Sequence, residues 1–237
     1  MAGSGKERAC GRGRGRAGRT GRGGSPVSAA GPIGRLWERH VLPPLIDRVM
    51  RSPVLAAQRA QVVGQAWGDV LEIGIGAGAN LGFYRREVTS LAGIDPSLEL
   101  LRRAHAKTSW MAFPTRLLQE RAERLPFPDA RFDAVVSTWT LCSVTDPAAA
   151  LAEIRRVLRP GGRFLFIEHG LAEQAAPARW QRRLTPCWRR IAGGCHLDRD
   201  WPALIGAAGF AGTELERGPL VPGPAFLAWH VRGHALA

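Results

Sequence analysis

The sequence predicts an α/β fold: a doubly wound, mostly parallel sheet of seven strands with a C-terminal antiparallel hairpin strand. Three observations predict it. Short apolar runs alternate with helix-like segments from residue 53 onward, the pattern of βαβ units with right-handed crossovers. The run FDAVVST at 132–138 is apolar and β-branched, as expected for a strand buried on both faces. Two late runs, 213–217 and 225–231, can close the sheet as a hairpin.

The elements follow in a regular order along the chain. An amphipathic segment at 36–50, interrupted by Pro43 and Pro44, and a helix at 53–66 precede the sheet. The first five predicted strands are 70–74, 90–95, 115–119, 132–138 and 162–169. The remaining predicted helices are 79–86, 96–107, 147–158, 178–191 and 199–208, of which the third ends at a Pro-Gly-Gly turn at 160–162.

Composition separates a tail from a single domain. Residues 32–237 can bury a full core, whereas residues 1–31 are rich in arginine and glycine and are expected to be disordered. The formal net charge is +13; residues 1–24 hold seven basic residues and one acid, a net of +6, and the remaining +7 lies on the rest of the chain. Such a tail can bind nucleic acid or an anionic membrane through phosphates. It lacks interleaved aromatic residues for base stacking, so we favour a solvated tail or a start codon placed too far upstream.

The cysteines and the apolar runs exclude several other classes of protein. Cys10, Cys142, Cys187 and Cys195 form no C-x-x-C pair, so neither a zinc site nor a disulfide framework is expected, and reduced thiols are favoured. Cys195 directly precedes His196, which is a poor spacing for two metal ligands. No run of 18 apolar residues and no signal peptide is present, so the expected location is the cytoplasm.

A glycine-rich turn follows the first predicted strand. Gly74, Gly76 and Gly78 alternate there, and Glu72 lies two residues before the first of them. Glycines let the backbone approach a ligand closely, and a following helix would present its N-terminal N–H groups to an anion. The pattern predicts a site for a nucleotide-like cofactor; a tight turn without a ligand is the alternative.

Ligands of doubly wound sheets bind at the carboxyl ends of the strands. Four segments meet there in this chain, at 74–80, 95–97, 121–123 and 137–141. Asp95 ends the second strand, where an acid can accept the two hydroxyls of a ribose. Capping of the next helix is the alternative role for Asp95, but Pro96 makes Ser97 the better cap.

Four motifs in order resemble a known family. The segments LEIGIGAG, GID, AERLPFPDARFD and VLRPGG are similar to those of class I S-adenosylmethionine-dependent methyltransferases, especially the quinone-biosynthesis C-methyltransferase type. The segments GANLGFY, TLCSV, IEHG and RWQRRLTPCWRRIAGGCHLDRDW resemble a narrower group that includes animal thiol S-methyltransferases. The resemblance implies a Rossmann-like sheet and S-adenosylmethionine as the cofactor. Animal members carry a hydrophobic N-terminal anchor, which is not expected for this chain.

The resemblance also implies where the methionine and ribose parts of the cofactor bind. Backbone at Gly74 and Gly76 is expected to lie near the methionine part, in the loop that continues through Gly78 and Asn80. Glu72 is expected to steady the amino group of the cofactor or the loop itself. Asp95 is expected to hold the ribose.

The other implied contacts concern the adenine and the sulfonium. Pro96 is expected to pack near the adenine, which Ala122 and Glu123 border. Many relatives carry an acid just before that alanine, whereas this chain has Arg121, so backbone at Ala122 would recognise the adenine instead. Thr138 and Trp139 end the fourth strand, beneath the sulfonium.

A methyl acceptor that is a thiol must lose its proton, because the thiolate is the nucleophile. His169, which follows Glu168 at the end of the fifth strand, is the predicted base. A structural histidine is the alternative role for His169. His196 and Asp198 are secondary candidates, and Cys195 is assigned to the substrate pocket rather than to covalent catalysis.

The preferred function is methyl transfer to a small-molecule acceptor, a thiol, without a metal. A quinone precursor and the amine of a phospholipid head group are alternative acceptors. Two other classes of protein are alternatives. One is an RNA-associated methyltransferase, which would bind RNA through the arginine–glycine tail, and the other is a nicotinamide oxidoreductase, which would bind NAD. The sequence carries no signal for an oligomeric state.

Overall fold

The computed structural model describes residues 48, 50 and 52–237. The predicted tail at 1–31 and most of the interrupted segment at 36–50 lie outside the described residues. The helices are α1 (Pro53–Val63), α2 (Leu98–Thr108), α3 (Pro147–Val157), α4 (Ala175–Ile191), α5 (Trp201–Ala207) and α6 (Ala225–Ala228). The strands are β1 (Gly68–Ile73), β2 (Val88–Ile94), β3 (Thr115–Leu118), β4 (Phe132–Thr138), β5 (Leu158–His169), β6 (Ala211–Pro219) and β7 (Trp229–Leu236).

Helix starts follow from local sequence. The side chains of Ser52, Ser97, Asp146 and Asp200 each accept a hydrogen bond from a backbone N–H in the first turn of α1, α2, α3 and α5. Three of these helices also carry a proline in that turn, where its missing N–H costs nothing. Ser97 therefore caps α2, as predicted, and Asp95 is left for another role.

The seven strands form one sheet in the order β3-β2-β1-β4-β5-β7-β6. Strands β1 to β5 run parallel, and β7 is antiparallel to both β5 and β6. The order reverses between β1 and β4, where Glu72 is paired with Val136 and Ile73 with Ser137. This reversal is the switch point at which doubly wound sheets open a crevice for a ligand. The predicted fold class is confirmed.

Alternate residues of each central strand face two different hydrophobic layers. Val70 of β1 packs in a layer with Val62 and Val63 of α1, whereas Leu71 packs in the opposite layer with Leu151 and Ile154 of α3. Both faces of the sheet are thus covered, and the carboxyl ends of the parallel strands are left as the place for a ligand.

Two predicted elements are wrong. The helix expected at 79–86 is only a single 3₁₀ turn, Leu81–Phe83. Buried Glu72 accepts hydrogen bonds from the side chains of Asn80 and Tyr84, which pulls this segment against the end of β1. Because this segment forms no α-helix, it does not supply the helix dipole that was expected to face an anion.

The second error lies at the C-terminal end of the sheet. The expected strand at 225–231 begins only at Trp229, because residues 225–228 form the short helix α6. The antiparallel pairing of β6 with β7 is as predicted. Strand β5 starts earlier than predicted, since Leu158 already pairs with Phe132. Among the described residues, no helix is both long and apolar enough to span a bilayer.

Candidate active site

The turn after β1 has left-handed backbone at Gly74, Gly76 and Gly78, with φ of 68°, 54° and 72°. A Cβ on Gly74 would lie 2.2 Å from side-chain atoms of Thr140, so only glycine fits beside the end of β4. A Cβ on Gly76 would have only the carbonyl oxygen of Gly74, at 3.9 Å, within 4 Å. The backbone at Gly76 therefore borders open space, as the backbone beside a bound ligand should.

Glu72 is the centre of a buried hydrogen-bond network. Its Oε1 accepts from Asn80 Nδ2 at 2.9 Å, and its Oε2 accepts from the Tyr84 hydroxyl at 2.6 Å. The same Asn80 Nδ2 donates to Thr138 Oγ1 at 3.0 Å, which ties the loop to the end of β4. The network brings together three of the predicted cofactor residues, Glu72, Asn80 and Thr138.

Burial raises the pKa of Glu72 to about 7, against the opposing effect of its two hydrogen bonds and of the charge on Arg59. Arg59, on α1, is itself buried, and its guanidinium carbon lies 4.9 Å from the centroid of the Trp139 ring. Burial lowers the pKa of Arg59 to about 10, although Glu72 raises it. Arg59 thus adds a cation beside the predicted site.

Asp95 lies at the end of β2 and is 7% exposed. Its Oδ2 accepts from the backbone N–H of Gly76 at 3.0 Å, and its Oδ1 accepts from that of Ser97 at 2.8 Å. Burial raises the pKa of Asp95, while the two backbone hydrogen bonds lower it. Each carboxylate oxygen keeps a second lone pair, so the side chain can accept two further hydrogen bonds.

The residues predicted to border an adenine lie beyond β3. Ala122 is buried, and Glu123 Oε1 accepts from the backbone N–H of Thr145 at 3.0 Å. Arg121 Nε lies 3.9 Å from Glu123 Oε2, so the basic side chain has an acidic neighbour. Pro96 is exposed at the start of the loop that leads to α2.

A buried carboxylate holds the loop after β4. Glu168 Oε1 accepts from the Ser137 hydroxyl at 2.7 Å and from the backbone N–H groups of Thr140 and Leu141, while Oε2 accepts from that of Cys142. Trp139, in this loop, has a left-handed φ of 52°, which is strained for a residue with a side chain. The four hydrogen bonds offset that strain and fix the end of β4.

His169 lies in contact with two cysteines. Its Nδ1 is 3.4 Å from Cys195 Sγ and 4.0 Å from Cys142 Sγ. Hydrogen bonds from Cys142 and His169 lower the pKa of the Cys195 thiol against the effect of burial, whereas the contact with Cys195 and burial raise the pKa of Cys142. The cluster therefore places a thiol of lowered pKa next to an imidazole.

A second histidine joins this cluster to the end of β4. The rings of His169 and His230 have centroids 4.4 Å apart, and the His230 ring lies edge-on to Trp139 with centroids 5.9 Å apart. Burial lowers the pKa of His230 to about 3, so this ring is neutral at physiological pH. A continuous row of rings thus runs from Trp139 to His169.

The two secondary candidates lie beside the cluster. His196 Nδ1 is 3.8 Å from Asp198 Oδ1, and the His196 backbone N–H donates to the carbonyl of Cys142 at 2.8 Å. Burial lowers the pKa of His196.

Sequence reasoning missed Arg59, His230 and the role of Cys142. Arg59, Val62 and Val63 follow the i, i+3, i+4 spacing of a buried helix face, so the arginine could have been placed inside. His230 pairs with His169 in the antiparallel register of β5 and β7, which no local sequence signal specifies.

The residues at the ends of β1 and β2 fit an S-adenosylmethionine-type cofactor. Among the described residues, Asn80 Oδ1 is buried and accepts no hydrogen bond, although the same amide donates to Glu72 and Thr138. A donor such as the amino group of the cofactor would satisfy this oxygen. The open space at Gly76 and the free lone pairs of Asp95 lie at the same end of the sheet, where the cofactor would bind.

Known proteins that are similar to this chain are methyltransferases. A family model described as "Methyltransferase domain" matches residues 71–166. The chain is 35% identical over 187 residues to "Thiol S-methyltransferase TMT1B" of Homo sapiens, covering 76% of each chain. It covers 63% of the length of the Rattus norvegicus protein of that name, at 35% identity over 154 residues.

Two further comparisons concern another acceptor and the fold. A "Phosphatidylethanolamine N-methyltransferase" of Cereibacter sphaeroides is 36% identical over 124 residues, covering 52% of this chain and 60% of that protein. The solved structure of a SAM-dependent methyltransferase from Thermotoga maritima matches with a TM-score of 0.61 and 20% identity, covering 86% of this chain and 99% of the other. At that identity the structural match shows the fold.

Proposed function

The chain belongs to the class I S-adenosylmethionine-dependent methyltransferases, and we propose that it transfers the methyl group of this cofactor to a small thiol. The observation that carries the proposal is the row of rings from Trp139 to His169, which connects the end of β4 to a histidine in contact with Cys195 Sγ.

The cofactor pocket is assigned to the loops at the ends of β1 and β2. Backbone at Gly74 and Gly76 would line the methionine part, and Gly78 is a position where a Cβ would clash with the Leu81 side chain. The Glu72 and Asn80 pair would accept from the amino group of the cofactor. Asn80 Oδ1 supplies the unused acceptor for this contact.

The remaining contacts would lie along the crevice. Asp95 would accept from the ribose hydroxyls through its free lone pairs, and Pro96, Ala122 and Glu123 would border the adenine. Thr138, the last residue of β4, is assigned beneath the sulfonium, and its hydroxyl accepts a hydrogen bond from Asn80. When bound, S-adenosylmethionine supplies a methyl group on a sulfonium that is already activated for in-line displacement.

The main task of the protein is then to orient the acceptor and remove its proton. Holding two reactants in line can contribute roughly 7–11 kcal/mol of barrier reduction. We assign Trp139 to the wall of the acceptor pocket and Nε2 of His169 to the proton of the acceptor thiol. Cys195, at 3.4 Å from Nδ1, keeps the imidazole in one orientation.

A thiol suits this arrangement better than an amine. A thiol needs to give up only one proton to one base to become the nucleophile, since its own pKa is about 8.5. The relatives named thiol S-methyltransferases also match more of the chain than the relative named for a phospholipid amine.

An acceptor panel tests the proposal. The purified chain would be supplied with S-adenosylmethionine labelled on its methyl group and with one of four acceptors: an alkyl thiol, phosphatidylethanolamine vesicles, a quinol or an RNA oligonucleotide. We expect label in the alkyl thiol well above the other three. Cofactor binding measured by calorimetry with no label in the thiol would contradict the acceptor assignment.

A further inference from the structure

Three metal-binding side chains from three separate elements meet at one point. Cys142 belongs to the 3₁₀ turn after β4, His169 ends β5, and Cys195 lies in the loop after α4. Cys195 Sγ is 3.4 Å and Cys142 Sγ is 4.0 Å from His169 Nδ1, and all three ligand atoms lie within 4.8 Å of one another. The residues are 26 and 27 positions apart along the chain, so no sequence spacing predicted this cluster.

We propose that Cys142, His169 and Cys195 form a binding site for a thiophilic divalent cation of the zinc class. Zinc bonds of about 2.3 Å to sulfur and about 2.0 Å to nitrogen place tetrahedral ligand atoms about 3.5–3.8 Å apart. The two sulfur-to-nitrogen separations, 3.4 Å from Cys195 and 4.0 Å from Cys142 to His169 Nδ1, lie close to that spacing. Three protein ligands leave the fourth position of a tetrahedral ion for water or another small molecule.

The surrounding hydrogen bonds hold the ligands in place. Glu168 fixes the turn that carries Cys142, and Arg199 donates to the carbonyls of Leu141 and Val144 in the same turn. Trp201 Nε1 donates to the carbonyl of His169 at 2.7 Å. Such outer hydrogen bonds are what orients the ligands of protein metal sites.

A second set of contacts joins the two cysteine segments directly. The His196 backbone N–H donates to the carbonyl of Cys142 at 2.8 Å, so the segment of Cys195 is tied to the turn of Cys142. Both cysteines are more than nine-tenths buried. Two thiolates so close together in a buried place repel each other, and a divalent cation removes that repulsion when both thiols lose their protons.

Metal binding here would switch off the proposed reaction, an inference that rests on the proposed function. An imidazole that coordinates through Nδ1 carries its proton on Nε2. The Nε2 atom of His169 then has no lone pair with which to take the proton of the acceptor thiol. We therefore expect the metal-free chain to be the active form and zinc to inhibit it reversibly.

The binding test uses the full chain, reduced and freed of metal with a chelator. Stoichiometry is measured by titration with zinc and by the thiolate-to-metal charge-transfer absorption of bound cobalt. We expect one equivalent of metal in the wild type and in a Cys10→Ser/Cys187→Ser double variant, which keeps only the two cysteines of the site. Cys142→Ser and Cys195→Ser are expected to lose the charge-transfer absorption.

Two further readouts separate the possible failures. Binding of S-adenosylhomocysteine reports whether each serine variant is folded. In the double variant, we measure whether zinc protects Cys142 and Cys195 from alkylation, which tests the site without changing its residues. No protection, or cobalt–thiolate absorption retained in both serine variants, would overturn the site. Zinc that binds without slowing methyl transfer would overturn the switch, whereas a metal-free chain that methylates no thiol would count against the proposed function alone.

Discussion

The hydroxyl of Tyr84, the only tyrosine of the chain, donates a 2.6 Å hydrogen bond to the buried carboxylate of Glu72. This contact replaces the helix that the sequence predicts after the glycine turn. It also places a carboxylate of unusual pKa beside the assigned cofactor pocket.

Glu72 makes the stability of the fold depend on pH. Its pKa is about 7 in the folded chain against 4.5 for the ordinary side chain, so between these values the folded state binds more protons than the unfolded state. The contribution of the side chain to stability is therefore complete below pH 4.5 and is lost as pH rises through 7. The pKa difference corresponds to about 3 kcal/mol.

Replacement of Glu72 by glutamine removes this titration. We expect Glu72→Gln to gain stability relative to the wild type as the pH rises from 5 to 8, because only the wild type loses the contribution of Glu72. The difference between the two free energies of unfolding should change by up to about 3 kcal/mol over this range. Urea unfolding at the two pH values measures it. A difference that stays constant with pH would show that Glu72 does not titrate as described.

Asp95 is expected to carry cofactor affinity. Asp95→Asn replaces a carboxylate that accepts from two backbone N–H groups and, in our assignment, from the ribose. Hydrogen bonds to a charged group contribute about 1.5–3 kcal/mol, so we expect S-adenosylhomocysteine to bind about 10- to 100-fold more weakly. Asp129→Asn, at an exposed carboxylate, is the matched control for calorimetry. Equal affinities in both variants would remove Asp95 from the site.

Gly76 is expected to matter to the ligand more than to the fold. A Cβ there meets almost no protein atoms, but the backbone is left-handed, so Gly76→Ala should cost about 1–2 kcal/mol of stability and should weaken cofactor binding further. Gly82→Ala, whose Cβ has no atom within 4 Å and whose φ is not positive, is the control. Cofactor affinity unchanged in Gly76→Ala would contradict the open space as the ligand pocket.

Glu168 is expected to act as a structural anchor. Glu168→Gln turns an amide N–H₂ toward at least one of the backbone donors of Thr140, Leu141 and Cys142 and leaves it unpaired, at a cost of about 1–3 kcal/mol. Thermal unfolding compares this variant with Glu173→Gln, at an exposed glutamate. If the two variants melt together, Glu168 does not hold the loop.

Local patterns predicted much of the fold. The β-branched run at 132–138 matches β4 residue for residue, and Ser97 caps α2 as its position after Pro96 indicates. These features depend on a few neighbouring residues, whose burial pattern and capping chemistry are read directly from the chain. The segment 79–86 was predicted wrongly because its side chains at Asn80 and Tyr84 donate hydrogen bonds to buried Glu72, which no periodic pattern indicates.

The sequence located those residues of the candidate site that lie next to strand ends. The glycine turn and Asp95 could be located because both follow directly from strand ends. Arg59, His230 and the contact of Cys142 with His169 depend on the packing of α1 and on the register of β5 with β7. Such contacts between distant segments leave no periodic signal in the chain.

In our proposal, His169 takes the proton of a thiol acceptor while the chain holds S-adenosylmethionine. The most direct measurement is single-turnover transfer of a labelled methyl group to an alkyl thiol by the metal-free wild type, His169→Ala and a control, His105→Ala, at an exposed histidine. We expect wild type and His105→Ala to form the methyl sulfide at equal rates and His169→Ala to be at least about 100-fold slower, with cofactor affinity unchanged. Equal rates in all three, or no methyl sulfide from the cofactor-bound wild type, would contradict this role of His169.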